Sequence, residues 1–319
     1  MNSNGDKLVH ATAADNQIRC MAAVTTHLVG EACRRHGTFP TASVALGRTL
    51  TGGLLLGHGF KDLEKITVHF DCDGPIGNII AQADAQGNVR GYVSNPEADT
   101  TEENSFGKFD VRKVVGSGTM YVIRDAGFEI GLMKEPYRGS VPIVSGEIAQ
   151  DFAYYLAKSE QINSAVSIGV HMTIDRTGAE SDNDGKPEFA LDRLRVAAAG
   201  GYIVQVMPSA GEDIIGYLER TIPAAPHSAQ MVRDGMSPFE MLQQALGDIG
   251  LGLLDEVEPR FHCQCSKDRA LLIISALGRS DIEDMHRKDH GAELTCHFCN
   301  EKYLITEDEL ALLLDEATE

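Results

Sequence analysis

The chain has 319 residues, 43% of them hydrophobic and 24% charged, which suits a folded protein with one large domain and smaller parts attached. A net charge of -19 repels phosphate backbones and anionic lipid headgroups, arguing against nucleic acid and membrane surfaces as partners. The opening MNSNGDKLVHATAADNQIRC lacks the pattern of a secretory signal, and the most apolar stretch, LTGGLLLGHGF at 50–60, is too short and too glycine-broken to span a bilayer, so a cytoplasmic location is expected.

From Pro40, PTASVALGRTLTGGLLLGH spreads apolar residues over a broad face with Ala and Gly between them, which predicts a buried helix packed against a sheet. The period then changes to two. KITVHFDCDGPIGNIIAQADAQGNVRGYV alternates Ile66, Val68, Phe70 and Cys72, and its Asp-Gly-Pro and Gln-Gly-Asn punctuation predicts strands joined by hairpins. Further strands are expected in TMYVIRDAGFEIGLM, RGSVPIVSG and SAVSIGVHMTID, and a helix in EIAQDFAYYLAKSEQ through Ile148, Phe152, Tyr155 and Leu156. Strands interleaved with a few helices, without regular βαβ repeats, indicate an α+β class.

After AAAGGYIVQVMP come short amphipathic segments. GEDIIGYLERTIP offers Ile214, Ile215, Leu218 and Ile222 to one side, and SPFEMLQQALG opens on a capping box of Ser237 and Glu240 with Pro238 at the first helical position. Short helices of this kind depend on docking, so 196–257 is expected to be a helical, metastable linker between an N-terminal α+β domain at 1–195 and a small C-terminal domain at 258–319. In that last part Ser280 with Glu283 and Thr306 with Glu309 read as capping boxes, and ELTCHFCNEKYLIT as a hairpin.

The chemistry is concentrated in two cysteine doublets, Cys263 and Cys265 in FHCQCSKDR, and Cys296 and Cys299 in LTCHFCNEKY. Four thiolates at about 2.3 Å satisfy the tetrahedral preference of Zn2+, and paired short doublets are a common way to supply them. Two readings stay open. The site is a static staple, or it is a switch in which zinc holds the sulfurs as reactive thiolates, with Arg260, Lys267 and Arg269 offsetting their charge. Structural zinc contributes about 10 to 16 kcal/mol to folding of a small unit, whereas a core of this size nets about 3 to 5 kcal/mol. Disulfides within each doublet would close tiny loops worth about 1.5 to 2 kcal/mol each. Oxidation with loss of metal is therefore able to unfold the unit.

FHCQCSKDR and TCHFCNEKY, together with ALGRTLTGGLLLG, DGPIGNIIAQADAQGNVRGYV, YRGSVPIVSGEIAQDFAYYLAKSEQ and AAAGGYIVQVMP, resemble the redox-regulated 33 kDa chaperonin family over most of the chain from about Ile18 onward. The resemblance implies an ATP-independent holdase, inactive when reduced and bound to one zinc ion through Cys263, Cys265, Cys296 and Cys299. It further implies disulfides Cys263 with Cys265 and Cys296 with Cys299 on oxidation, zinc release, loss of order in the C-terminal unit and linker, and capture of unfolding clients. Dimerisation on activation and transfer of clients to ATP-dependent chaperones are implied in the same way.

Other readings have less support. Cys20, Cys33 and Cys72 stand outside the motif and are expected to pack as small hydrophobes. ESDNDGKPE at 180–188 imitates a calcium loop but puts Leu191 where the bidentate Glu belongs, so it reads as a solvated turn, and DCDG at 71–74 as a hairpin connection. Gly52-Gly53 and Gly200-Gly201 lack the ending of a phosphate-binding loop, and no serine or zinc protease motif occurs. His262 and His297 are expected beside the metal site or exposed, since four sulfurs saturate zinc. A thiol-disulfide oxidoreductase would need its Cys-x-x-Cys at a helix start, which residues 290–305 do not resemble. A zinc-ribbon nucleic-acid binder would need a basic surface.

Overall fold

A computed structural model describes residues 5–58, 65–100, 109–125, 128–129, 132–133, 136–174 and 194–316. The segment 180–188 lies outside the described residues. The elements run β1 (Lys7–Ala13), β2 (Ile18–Val24), α1 (Thr26–His36), α2 (Pro40–Gly57), β3 (Lys65–Cys72), β4 (Asn78–Asp84), β5 (Asn88–Val93), α3 (Val111–Val115) and β6 (Gly118–Asp125). They continue with β7 (Phe128–Glu129), β8 (Leu132–Met133), β9 (Tyr137–Pro142), α4 (Ala149–Lys158), β10 (Ser164–Ile174) and β11 (Leu194–Val206). Then follow α5 (Glu212–Thr221), α6 (Ser228–Arg233), α7 (Pro238–Leu246), β12 (Gly252–Val257) and β13 (Arg260–Phe261). The last elements are α8 (Lys267–Ser275), α9 (Arg279–Asp284), β14 (Gly291–Thr295), β15 (Lys302–Thr306) and α10 (Glu307–Glu316).

The class is α+β, as the mixed periodicity indicates. Besides the two-stranded β7-β8 pair, the larger unit is dominated by two large sheets, one ordered β10-β11-β2-β1-β12 and the other β13-β5-β4-β3-β6-β9. Helix α2 packs against strands of both, which is why it is buried on nearly every side and why its sequence reads as apolar and small residues all round. Gly52 marks the closest approach, since a Cβ there would stand 2.3 Å from the Phe152 ring. The expected helix and the alternation of Ile66, Val68 and Phe70 are both found, with those three side chains facing α2 in the main core.

The first sheet is covered on both faces. Leu8, Met21, Ala23, Ala199 and Ile203 point into the core shared with α2. The alternate residues Val9, Ala11, Cys20, Ala22, Tyr202 and Val204 form a second core with Leu218, Met231, Met241, Leu242 and Leu246 from α5, α6 and α7. Gly200 and Gly201 permit close packing in this sheet, as a Cβ at either would lie 2.5 Å from a backbone oxygen of a neighbouring strand.

The segment 196–257 is thus not helical throughout. Residues 196–206 belong to β11, an interior strand between β10 and β2, and β12 pairs with β1 as an edge strand. The helices lie between. The chain divides into two compact units, Met1–Phe261 and His262–Glu319, so the division falls a few residues beyond the expected 257/258 boundary. Ser237 caps α7 as expected, its hydroxyl accepting from the Glu240 amide at 3.3 Å while Glu240 Oε2 accepts from the Ser237 amide at 2.8 Å. Ser280 does not cap α9. That helix begins at Arg279 after Gly278, and Glu283 instead accepts from Arg279 Nε at 3.0 Å. No helix among the described residues is long and apolar enough to cross a membrane.

Candidate metal centre

The second unit is a hairpin of β14 and β15 with α8, α9 and α10 around a core of Ala270, Ile274, Ile282, Ile305 and Leu310. The Cys-x-x-Cys doublet occupies the hairpin's turn. The Cys296 amide donates to the Glu301 carbonyl at 2.8 Å, and the Cys296 carbonyl accepts from the amides of Cys299 at 3.3 Å and Asn300 at 2.7 Å. Asn300 closes the loop at φ 58°, a left-handed conformation that Asn tolerates better than most residues. This knuckle directs both side chains to one side.

The Cys-x-Cys doublet precedes α8. Ser266 caps that helix by accepting from the Arg269 amide at 3.2 Å, and Arg269 Nη1 reaches back to the Gln264 carbonyl at 2.8 Å, fixing the residue between the two cysteines. Lys267 pairs with Glu309 of α10 at 2.7 Å, and the Arg260 guanidinium donates to Asn88 at 2.8 Å. Of the three cations expected to offset the sulfurs, only Arg269 is hydrogen-bonded to the cysteine loop itself. Thr306 and Glu309 form their capping box, with the Thr306 amide donating to Glu309 Oε2 at 2.8 Å.

The four predicted ligands come together. The Sγ atoms of Cys263, Cys265, Cys296 and Cys299 lie within 4.8 Å of one another, with Cys263 to Cys296 at 3.7 Å and Cys265 to Cys299 at 3.3 Å. No disulfide joins any of the four. Sulfurs about 2.3 Å from a central ion at tetrahedral corners stand about 3.8 Å apart, so the cluster has the size of a four-thiolate metal site. Burial pushes the Cys296 thiol up, and burial with the neighbouring sulfurs does the same to Cys299. Four sulfurs packed this closely resist ionising together, and a divalent cation among them removes that resistance. The donor set therefore fits a thiophilic metal ion. His262 and His297 are exposed.

Cys20, Cys33 and Cys72 belong to the larger unit and pack against its cores, as expected. Desolvation pushes the Cys20 and Cys72 thiols up to about 12 and raises Cys33 as well, which keeps all three in the unreactive thiol form. One neighbour of the cluster had no role assigned from sequence. Tyr303, on β15, donates its hydroxyl to Cys265 Sγ at 3.1 Å. Its signal was the alternation of the hairpin, which puts Tyr303 and Ile305 on the packed side and leaves Leu304 65% exposed.

A family model described as Hsp33 protein matches residues 6–306. The chain is 44% identical over 314 residues to the 33 kDa chaperonin of Listeria monocytogenes serotype 4b, covering 98% of this chain and 99% of that one. It is 43% identical over 314 residues to the 33 kDa chaperonin of Bacillus subtilis strain 168, with the same coverage. The crystal structure of the 33 kDa chaperonin (heat shock protein 33 homolog) of Thermotoga maritima superposes with a TM-score of 0.83 at 32% identity, covering 99% of both chains. With its four-cysteine cluster and its fold matched nearly end to end, the chain belongs to the Hsp33 family of 33 kDa chaperonins.

Proposed function

We propose that this chain is a cytoplasmic, ATP-independent holdase whose activity is switched on by oxidation of its zinc centre, and not an enzyme. The observation that carries the proposal is the convergence of the four Sγ atoms in a unit with very little apolar core of its own. Zn2+ held by Cys263, Cys265, Cys296 and Cys299 would keep the sulfurs deprotonated and cross-link the knuckle to the loop before α8. In this reading the oxidised form carries disulfides Cys263–Cys265 and Cys296–Cys299, the pairing inferred from the family. Such small rings contribute too little to replace the metal, so the unit loses its order.

Only His262 stands between Cys263 and the end of β13, so loss of order in the second unit begins next to the strands that close the first. Release of α5 to α7 would then uncover the apolar face formed by Val9, Ala11, Ile18, Tyr202 and Val204. That face is suited to unfolding polypeptides, which present apolar side chains of no fixed sequence. Clients would be held, by an activated homodimer in the family reading, until reduction and transfer to ATP-dependent chaperones.

The test treats reduced, zinc-loaded protein with an oxidant and follows metal release and light scattering of a heat-denatured client together. Suppression of scattering should rise in step with zinc release. Equal suppression by reduced and oxidised samples would favour the static zinc site, and catalytic turnover of a disulfide substrate would favour an oxidoreductase.

A further inference from the structure

We infer that Tyr303 is a positioning residue that sets how readily the metal centre is oxidised, by donating its hydroxyl proton to the sulfur of Cys265. The inference rests on the redox reading above and adds a residue outside the four ligands. Tyr303 stands on β15 directly across from Leu294 of β14, and its ring packs against the small core of the second unit. Its hydroxyl lies 3.1 Å from Cys265 Sγ, the sulfur that is also 3.3 Å from Cys299 Sγ. The ring is thus fixed by packing and the hydroxyl by what it meets. A hydrogen bond to a charged acceptor is stronger than one between neutral groups, so the contact gains weight when Cys265 is a thiolate.

Oxidation by a peroxide begins when a thiolate lone pair attacks the O–O bond. A sulfur–oxygen bond forms, the O–O bond breaks and hydroxide leaves with the bonding pair. A second thiolate then attacks the sulfenic acid sulfur, forming the disulfide and releasing a second hydroxide. Two thiolates supply two electrons and one peroxide is reduced. The rate of the first step follows the electron density on the attacking sulfur. An O–H donor draws part of that density away, so Tyr303 slows attack by Cys265.

Tyr303→Phe removes the hydroxyl and keeps the ring. With zinc content equalised before the experiment, hydrogen peroxide should release zinc from the variant about three to ten times faster than from the parent protein, from the strength of a charged hydrogen bond scaled by thiolate reactivity. Release to a chelator without oxidant should change much less. A sulfenic acid trap read by mass spectrometry should show a larger share of label at Cys265 relative to Cys263 in the variant.

Unchanged peroxide rates would overturn the inference. Equal acceleration with peroxide and with chelator would overturn it too, because the hydroxyl would then only help to hold the fold or the metal. If peroxide releases no zinc from the parent protein, the failure lies in the redox reading itself and not in the assignment of Tyr303.

Discussion

Asp151 is fully buried, yet its carboxylate accepts from the Val144 and Ser145 amides and the Ser145 hydroxyl at 2.8 Å and from the Ile148 amide at 3.0 Å. These bonds hold Ile148 at φ 69°, a conformation unfavourable for a β-branched residue. Arg48 of α2 completes the clasp, donating to the Glu147 carbonyl at 3.1 Å and to its carboxylate at 2.6 Å. Asp151→Asn turns an amide NH2 toward donors that need an acceptor, and should lower stability by on the order of 3 kcal/mol. Urea unfolding of the zinc-loaded variant beside the parent protein measures this; a change below about 0.5 kcal/mol, as at an ordinary surface site, would mean the clasp is not holding the turn. The helical periodicity of EIAQDFAYYLAKSEQ identified Phe152, Tyr155 and Leu156 as buried. It could not identify Asp151 as an anchor, because most of its donors sit in the preceding irregular turn, which no periodic pattern describes. The four cysteines are the opposite case, legible because zinc imposes its own short spacing on the sequence.

At the scale of elements, the seam between β1 and β12 joins residues more than two hundred positions apart. His10 of β1 accepts from Arg19 Nε at 3.1 Å and meets the His58 ring edge-on at 6.1 Å, while His58 Nε2 lies 3.6 Å from Asp255 Oδ2 on β12. His58 Nδ1 faces the Ala85 carbonyl at 3.4 Å. Desolvation is the largest influence on both imidazoles and lowers both below the ordinary histidine value. Arg19 pushes each the same way, Asp255 opposes, and the Ala85 carbonyl further opposes the shift at His58. A histidine whose folded pKa is depressed leaves stability intact above its unfolded value of about 6.5 and removes it as pH falls through that value toward the folded one. The urea midpoint of the larger unit should therefore fall between pH 7.5 and pH 5.5. Replacing both histidines by Gln should flatten that part of the profile, and an equally steep profile in the double variant would assign the effect to other groups. The sequence concealed this seam. GLLDEV places Leu253 and Leu254 on β12 more than half exposed, so it carries no strand alternation, and its partner β1 lies at the other end of the chain. The helices α5 and α7 were legible from their stripes and the Ser237 cap, whereas AAGGYIVQ at 198–205, buried on both faces in β11, has the continuous apolar character that periodicity alone cannot assign.

At the scale of the whole molecule, the two units differ in what holds them together. The larger has two apolar cores, one on each side of the β10-β11-β2-β1-β12 sheet. The smaller leaves Leu272 69%, Ile273 60% and Leu312 63% exposed while burying Ala270, Ile274, Ile282, Ile305 and Leu310. Cores of that size net about 3 to 5 kcal/mol at most, against about 10 to 16 kcal/mol from a structural zinc ion. Chelation of the metal from fully reduced protein should then abolish slow amide exchange at β14 and β15, while β3, β4 and β6 keep theirs. The reducing condition matters, because it separates the contribution of the metal from that of any disulfide. Addition of Zn2+ should restore protection without a refolding step in the larger unit, since nothing there was lost. Were the β14–β15 hairpin to stay protected without metal, its own packing would suffice. Oxidation could then alter the cysteines without altering the fold, and a switch that works by loss of order would have no physical basis.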